Sequence, residues 1–147
     1  QASLFSCLTG LRISDILNLA WDDIQLAPDL GNCVRIRIQK TDTETMLPIS
    51  DEALQLCGER TEGKVFRGLT RSVVNYPLRK WIAAAGIKKH ISFHCFRHTY
   101  ATLQIASGTD IYTVSKMLVH KNVTTTQIYA DLVNDKKRET VDRITLK

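Results

Sequence analysis

The chain has 147 residues, of which 44% are hydrophobic and 24% are charged. This length fits one domain with a buried core, and this composition argues against a disordered chain. Lys and Arg number 20 against 15 for Asp and Glu, a net charge of +5, which favours a polyanionic partner, although mildly basic domains are common.

The cysteines and the chain start indicate the cellular setting. The four cysteines are far apart and form no CxxC pair, so we expect buried reduced thiols rather than a zinc ribbon. No signal-like N-terminus and no apolar run approaching about 18 residues is present, which predicts a soluble cytoplasmic protein. Because the chain begins with Gln1 inside an apolar helical pattern, we expect a fragment of a longer protein. The cysteines are Cys7, Cys33, Cys57 and Cys95.

The first elements are two short helices. Apolar residues at helical spacing predict a helix over residues 2–9, which Gly10 ends. Ser14 is a good N-cap for a second helix over residues 15–20. Arg12 is therefore expected in the tight turn between the two helices.

A small sheet is predicted next. Apolar and polar residues alternate strictly from Cys33 to Gln39, which is typical of a half-buried strand. Residues 45–49 are the expected partner strand, so residues 40–44 form the hairpin connection. A short edge strand is predicted over residues 64–66.

The remaining segments are predicted to be helical. Ser50 caps a helix that runs to about Gly58, and the helix over residues 71–85 contains Pro77 and ends at Gly86. The 71–85 helix has one apolar face, formed by Val74, Leu78, Trp81 and Ile82. Four shorter helices follow it, over residues 94–107, 110–119, 123–130 and 134–143.

The predicted fold class is mainly α (α+β), with a small antiparallel three-stranded sheet.

Five cationic or imidazole side chains and one tyrosine form the candidate site. Arginine remains charged and its planar fork binds phosphate bidentately, while histidine and lysine transfer protons. A tyrosine hydroxyl can attack a phosphodiester, and the resulting ester conserves the bond energy, so that strands can be rejoined without a metal. The candidates are Arg12, Lys40, His94, Arg97, His120 and Tyr129.

The order and spacing of these residues are more specific than any one of them. His94 and Arg97 share a helix face because they are three residues apart. HxxR alone is common, but here Thr9-Gly10-Leu11-Arg12 precedes it, and Leu118-x-His120 and Tyr129 follow it. From residue 6 to about 133, the chain resembles the tyrosine recombinase (phage integrase) family.

This resemblance implies the family's fold, a DNA breaking and rejoining activity, and a set of roles. Arg12 and Arg97 would bind the non-bridging oxygens of the scissile phosphate. Lys40, in the hairpin, would protonate the leaving 5′ oxygen. Tyr129 would form the covalent 3′-phosphotyrosyl link.

The two histidines complete the implied roles. His94 would assist proton transfer from the tyrosine as a general base, and His120 would donate a hydrogen bond to the phosphate. The chain departs from the family pattern at two apolar positions. Val119 occurs where the family commonly has Gly, and Phe96 where it often has Leu.

Several of these residues also have ordinary structural interpretations. Arg12 alone could satisfy helix-end carbonyls, and surface hairpins commonly carry lysines such as Lys40. His98, one turn after His94, lacks a third ligand at metal-binding spacing, so we expect it to pack or to form a hydrogen bond. Asp15 could support the site, but its place in the first turn of a helix already explains it.

Three other tyrosines compete with Tyr129 for the nucleophile. Tyr100 is expected to pack within its helix, and Tyr112 to lie in the core or at a helix start. Tyr76 precedes a proline and has no histidine nearby. Tyr129 alone follows a second histidine on a separate helix.

The resemblance also implies partners. We expect double-stranded DNA, self-association into a tetramer on DNA, and a tail over residues 131–147 that docks on a neighbouring protomer. A preceding core-binding domain that clamps DNA is expected to be absent from this sequence. No cofactor, metal, membrane or small-molecule substrate is expected, and the setting is the prokaryotic cytoplasm, at the nucleoid.

Three other functions stay open. A type IB topoisomerase shares this chemistry and relaxes supercoils as a monomer. A non-catalytic DNA-binding module would use its basic residues for phosphate contacts alone. A metal-dependent nuclease is less favoured because the sequence has no carboxylate cluster.

Overall fold

The computed structural model describes residues 1–38 and 42–131. The chain divides into two compact units, Gln1–Tyr100 and Ala101–Lys147. The first unit contains four helices and a three-stranded sheet, and a fifth helix begins in it and continues into the second unit. The elements are α1 (Ala2–Thr9), α2 (Ile13–Asn18), a 3₁₀ turn (Trp21–Asp23), β1 (Ile24–Ala27), β2 (Gly31–Ile38), β3 (Thr43–Pro48), α3 (Asp51–Cys57), α4 (Arg71–Ala84), α5 (His94–Ala106), α6 (Ile111–Met117) and α7 (Thr124–Asp131). The predicted mainly α fold with a small antiparallel sheet is confirmed.

The two N-terminal helices meet in a tight turn, as predicted. α1 ends at Gly10, which adopts the left-handed conformation (φ 70°) and donates its backbone N–H to the Ser6 carbonyl at 2.8 Å. α2 begins at Ile13, so the prediction of Ser14 as N-cap is wrong by two residues. Arg12 is the N-cap, and the Asp15 carboxylate accepts its backbone N–H at 3.3 Å, as in one half of a capping box.

The sheet is antiparallel in the order β1-β2-β3. Val34 of β2 lies opposite Ile24 of β1 and Leu47 of β3, and all three side chains are buried. The third strand is β1 rather than the predicted segment 64–66, where Lys64 forms one isolated bridge with Ala20. Strand β1 has four residues, and its Leu26 is 78% exposed, so it lacks the alternation that identifies longer strands.

The hairpin prediction is partly tested. Strand β3 starts at Thr43, so the predicted connection over residues 40–44 is too long at its C-terminal end. The predicted position of Lys40 lies outside the described residues.

In the first unit α1 packs on α3, and β2 packs on the 3₁₀ turn. Phe5 is fully buried, and its ring meets the edge of Phe66 at 5.4 Å between centroids. Ser50 accepts the Ala53 N–H at 3.2 Å, which confirms it as the N-cap of α3.

Helix α4 has a narrower apolar face than predicted. Leu78 and Ile82 are buried, but Trp81 is 65% exposed, so only part of the predicted apolar face is buried. One turn separates Leu78 from Ile82, whereas Trp81 lies toward the side of the helix. Pro77 lies within α4, which continues on both sides of it.

All four cysteines are free thiols. Cys33 and Cys57 are buried as predicted, whereas Cys7 and Cys95 are only half-buried. Burial raises the pKa of the Cys57 thiol to about 11. These thiols are chiefly packing groups.

The second unit contains the end of α5 and the helix pair α6 and α7, which pack on each other. The Asp110 carboxylate accepts the Thr113 N–H at 2.9 Å and caps α6, as predicted. The predicted helix over residues 134–143 lies outside the described residues. Within the described ranges, no helix is both long enough and apolar enough to cross a membrane.

Candidate active site

Two buried hydroxyl groups fix the turn that precedes Arg12. The Ser6 hydroxyl donates to the Leu11 carbonyl at 3.0 Å, and the Thr9 hydroxyl donates to the Phe5 carbonyl at 2.7 Å. The Thr9 oxygen also accepts the Leu11 N–H at 3.3 Å. These bonds fix the backbone leading to Arg12, whose side chain is exposed.

Arg97 joins this turn to helix α5. The side chain is 4% exposed, and its Nη1 donates to the Gly10 carbonyl at 2.6 Å. This bond is charge-assisted and short, and it connects residues that are 87 positions apart. Arg97 therefore has a structural role in the fold in addition to any role in chemistry.

Asp15 lies within electrostatic range of both arginines. Burial raises the pKa of its carboxyl group, and the charges of Arg12 and Arg97 oppose that rise, together with the Arg12 backbone hydrogen bond. A carboxylate near two guanidinium groups offsets their mutual repulsion. Asp15 thus supports the arginine pair as well as the start of α2.

His94 is the third group of this cluster and stands at the start of α5. Burial lowers its pKa, and the positive charges of His98, Arg97 and Arg12 lower it further. The neutral imidazole therefore persists to lower pH, which is the form that can accept a proton. The His98 ring packs perpendicular to the His94 ring at 4.5 Å, which confirms the prediction that His98 packs.

In the second unit, His120 follows the C-terminal turn of α6. The Val119 N–H bonds to the Lys116 carbonyl at 2.9 Å, and the His120 N–H bonds to the Ser115 carbonyl at 3.0 Å. This pair of bonds is the Schellman motif, which requires a left-handed residue at its centre. The motif fixes the backbone of His120 immediately after α6.

Val119 occupies the left-handed position that glycine fills elsewhere in this chain. Helices α4 and α5 end in the same motif, with Gly86 at φ 69° and Gly108 at φ 106°. Val119 has φ 52°, although a β-branched residue is strained there by roughly 1–2 kcal/mol. Val119, where the family commonly has Gly, thus adopts the left-handed conformation that glycine would adopt without strain.

The His120 ring is bound to helix α7. Its Nδ1 lies 2.8 Å from the Thr126 hydroxyl oxygen, and Thr126 is fully buried. Tyr129, almost one turn further along α7, is 4% exposed.

The structure thus brings Arg12, His94 and Arg97 together within the first unit. His120 and Tyr129 belong to the second unit, on the segment that follows α6 and on α7, and Lys40 lies outside the described residues. Among the described residues, no group of three or more His, Cys, Asp or Glu side chains is placed to hold a metal ion.

The other tyrosines differ in burial. Tyr100 is 5% exposed, as predicted. Tyr112 is the second residue of α6 and is 68% exposed, so the structure agrees with a helix-start position and not with the core alternative.

Sequence reasoning missed the hydroxyl groups that support the site, namely Ser6, Thr9 and Thr126. Ser6 and Thr9 stand in an apolar helix just before the turn, which is a detectable signal. Thr126 is one of three consecutive threonines, and the sequence does not show which of them is buried.

Comparison with known proteins places these observations in a family. The model of the phage integrase family matches residues 2–136. The tyrosine recombinase XerD of Lacticaseibacillus casei is 33% identical over 143 residues, which cover 86% of this chain and 47% of that protein. The tyrosine recombinase XerA of Saccharolobus solfataricus is 34% identical over 135 residues, covering 88% and 44%. The chain spans about half the length of these relatives.

Solved structures share the fold. The crystal structure of XerA recombinase has a TM-score of 0.72 and 26% identity, and the match covers 98% of this chain and 56% of that one. The post-cleavage complex of XerH recombinase with its palindromic difH substrate has a TM-score of 0.75 and 20% identity, covering 97% and 44%.

Proposed function

Because this chain belongs to the phage integrase family, we propose that it is the catalytic domain of a site-specific DNA recombinase. It would cleave and rejoin double-stranded DNA through a tyrosine ester. In the whole protein a preceding core-binding domain would clamp the DNA and supply part of the site specificity.

The observation that supports this proposal most strongly is the cluster on the first unit. Arg97 is bonded to the Gly10 carbonyl in the turn that leads to Arg12, and the charges of both arginines lower the pKa of His94. A convergent pair of arginines with a supporting carboxylate is suited to the negative charge of a phosphate in its transition state. An ordinary helix end requires no such pairing.

The proposed reaction is a transesterification. The Tyr129 hydroxyl oxygen attacks phosphorus and forms a P–O bond, while His94 takes the phenolic proton. The bond from phosphorus to the 5′ oxygen breaks, and Lys40 protonates that oxygen. Arg12, Arg97 and His120 stabilise the charge on the non-bridging oxygens.

Rejoining is the reverse of cleavage. A free 5′ hydroxyl attacks the 3′-phosphotyrosyl ester, expels Tyr129 and restores a phosphodiester. The reaction consumes no water and requires no redox partner. Exchange follows when the attacking hydroxyl belongs to another duplex.

Strand exchange between two duplexes needs several copies of this domain. We propose a tetramer on DNA, with the tail over residues 131–147 docking on a neighbouring copy. We place this activity on chromosomal or mobile-element DNA in the prokaryotic cytoplasm, at the nucleoid.

A covalent trapping assay tests the proposal. The protein is incubated with a pool of nicked DNA duplexes of randomised sequence, in which cleavage near the nick releases a short strand and prevents rejoining. We expect labelled DNA to remain attached to wild type after denaturation, and Tyr129→Phe to abolish the adduct while duplex binding is retained. Tyr112→Phe, at the exposed tyrosine of α6, is the matched control and keeps the adduct.

Retention of the adduct by Tyr129→Phe would contradict the assignment of the nucleophile. Absence of any adduct from wild type would favour a non-catalytic DNA-binding module. Relaxation of supercoiled plasmid at low protein concentration without strand exchange would favour a type IB topoisomerase. Cleavage that stops in EDTA would favour a metal-dependent nuclease.

A further inference from the structure

Thr126 has the geometry of a group that controls the His120 ring. Its hydroxyl oxygen lies 2.8 Å from His120 Nδ1, and the residue is fully buried. At this distance the hydroxyl and the ring nitrogen form a hydrogen bond, and because Thr126 is buried, water does not replace it. A hydroxyl can donate or accept, so the direction of this bond and the tautomer of a neutral imidazole are linked: each direction requires one of the two tautomers.

Both partners of this bond have a fixed backbone. The Asn122 side-chain oxygen accepts the Thr124 N–H at 3.0 Å, which fixes the first turn of α7 and therefore the place of Thr126. On the other side, the His120 N–H is bonded to the Ser115 carbonyl at 3.0 Å. The ring is thus held at its backbone and at Nδ1.

We propose that Thr126 is a positioning residue that donates its hydroxyl proton to His120 Nδ1 and keeps the proton of the neutral ring on Nε2. This inference rests on the proposed function. His120 must donate a hydrogen bond to a phosphate oxygen, and only a proton on Nε2 allows this when Nδ1 faces Thr126. The opposite direction, with Nδ1–H donating to Thr126, would leave a lone pair on Nε2 that repels a phosphate oxygen.

Threonine suits this position because its methyl group and its hydroxyl group have different contacts. The methyl group fills buried space in the second unit, and the hydroxyl group binds the ring. Thr126→Val keeps the shape and removes the hydroxyl. Thr126→Ser keeps the hydroxyl and removes the methyl, so the two variants separate ring control from packing.

The first test reads the tautomer directly and needs no DNA. In protein labelled with ¹⁵N-histidine, long-range ¹H–¹⁵N correlation spectra at pH 8 distinguish a proton on Nε2 from one on Nδ1. His120→Ala identifies the His120 signals. We expect Nε2–H alone in wild type and in Thr126→Ser. In Thr126→Val we expect the Nδ1 signal to shift, because that nitrogen loses its hydrogen-bond donor. Nδ1–H in wild type, or an Nδ1 signal that is the same in Thr126→Val, would overturn the proposal.

The second test measures adduct formation on the nicked duplex pool. We expect Thr126→Val to lower the rate roughly tenfold, the scale of one lost hydrogen bond, while Thr126→Ser stays within about threefold of wild type. Thr125→Val makes the same chemical change at an exposed neighbour on α7 and is the matched control, with little effect. Thermal unfolding of each variant identifies any loss that comes from folding alone.

A mutant cycle separates positioning from packing. In the His120→Ala background, Thr126→Val should cause no further loss of rate, because its effect passes through the ring. An equal loss in both backgrounds would mean that Thr126 acts by packing and would refute the proposal. If wild type forms no adduct at all, the proposed function fails, whereas the NMR result still decides the direction of the hydrogen bond.

Discussion

The two arginines of the proposed phosphate site differ at the level of the single residue. Arg12 is exposed, and the hydrogen bond that Asp15 accepts comes from its backbone. Arg97 is 4% exposed and donates to the Gly10 carbonyl. Residues proposed for the same chemistry therefore contribute unequally to the fold.

This difference predicts unequal effects of the two alanine substitutions on stability. Arg97→Ala leaves the buried Gly10 carbonyl without this donor, so we expect the free energy of unfolding to fall by about 2 kcal/mol. Arg12→Ala should change it by less than about 0.5 kcal/mol, as exposed substitutions usually do. Urea denaturation measures both values.

Both variants should lose adduct formation far more than duplex binding, because each removes charge from the proposed transition-state site. Adduct formation by Arg97→Ala is therefore compared with wild type in the absence of urea, at a temperature well below the unfolding transition of the variant. Equal stability of the two variants would contradict the structural role of Arg97.

Helix ends are the element-scale feature of this molecule. The proposed site residues Arg12 and His120 each follow a helix that ends in a left-handed residue, Gly10 for α1 and Val119 for α6. A left-handed cap turns the chain sharply and satisfies the last carbonyl groups of the helix. It therefore delivers the next residues in a fixed backbone conformation.

Val119 yields a prediction that reverses the usual ranking of glycine and alanine. Glycine ordinarily destabilises regular structure by about 0.5–1 kcal/mol relative to alanine. At φ 52° alanine keeps the strain that glycine relieves, so we expect Val119→Gly to be more stable than Val119→Ala by about 1 kcal/mol. Thermal or urea unfolding of the two variants measures this difference.

A comparison site checks the interpretation. Ala106 lies in the last turn of α5 with ordinary helical geometry, so Ala106→Gly should be destabilising there. If Val119→Ala proved more stable than Val119→Gly, the left-handed conformation at this position would be wrong.

At the scale of the whole molecule, assembly is the property that would separate recombination from simple cleavage. The proposed tail contains apolar residues among many charges, which suits a segment that packs on another protein surface. We predict that a chain ending at Val133 loses the four-copy species on duplex DNA that the full chain forms. Analytical ultracentrifugation with a duplex that forms the covalent adduct measures the loss of this species.

Tyr129→Phe in the full chain is the control for this experiment. It removes the nucleophile and leaves the tail intact, so it should still form the larger species. Unchanged assembly after truncation at Val133 would argue against the tail as the docking segment.

Much of the architecture was predictable because local patterns report local structure. The helix at residues 2–9, the caps Ser50 and Asp110, and strand β2 all follow from spacing and cap chemistry within a few residues. Strand β1 was not predictable, because its four residues derive their stability from pairing with β2 rather than from their own pattern. The exposure of Trp81 was not predictable for a related reason, since periodicity identifies an apolar stripe on a helix but not how much of that stripe is buried.

The sequence by itself determined the series of functional groups, the helices that carry most of them and the family to which they belong, since these depend on residue type and short-range spacing. Only the tertiary structure decided that Arg97 reaches the Gly10 carbonyl, that Asp15 serves both arginines and that Thr126 binds the His120 ring. Those contacts depend on which faces of distant elements meet, and burial energy over the whole core selects that arrangement. Local spacing contains no record of it.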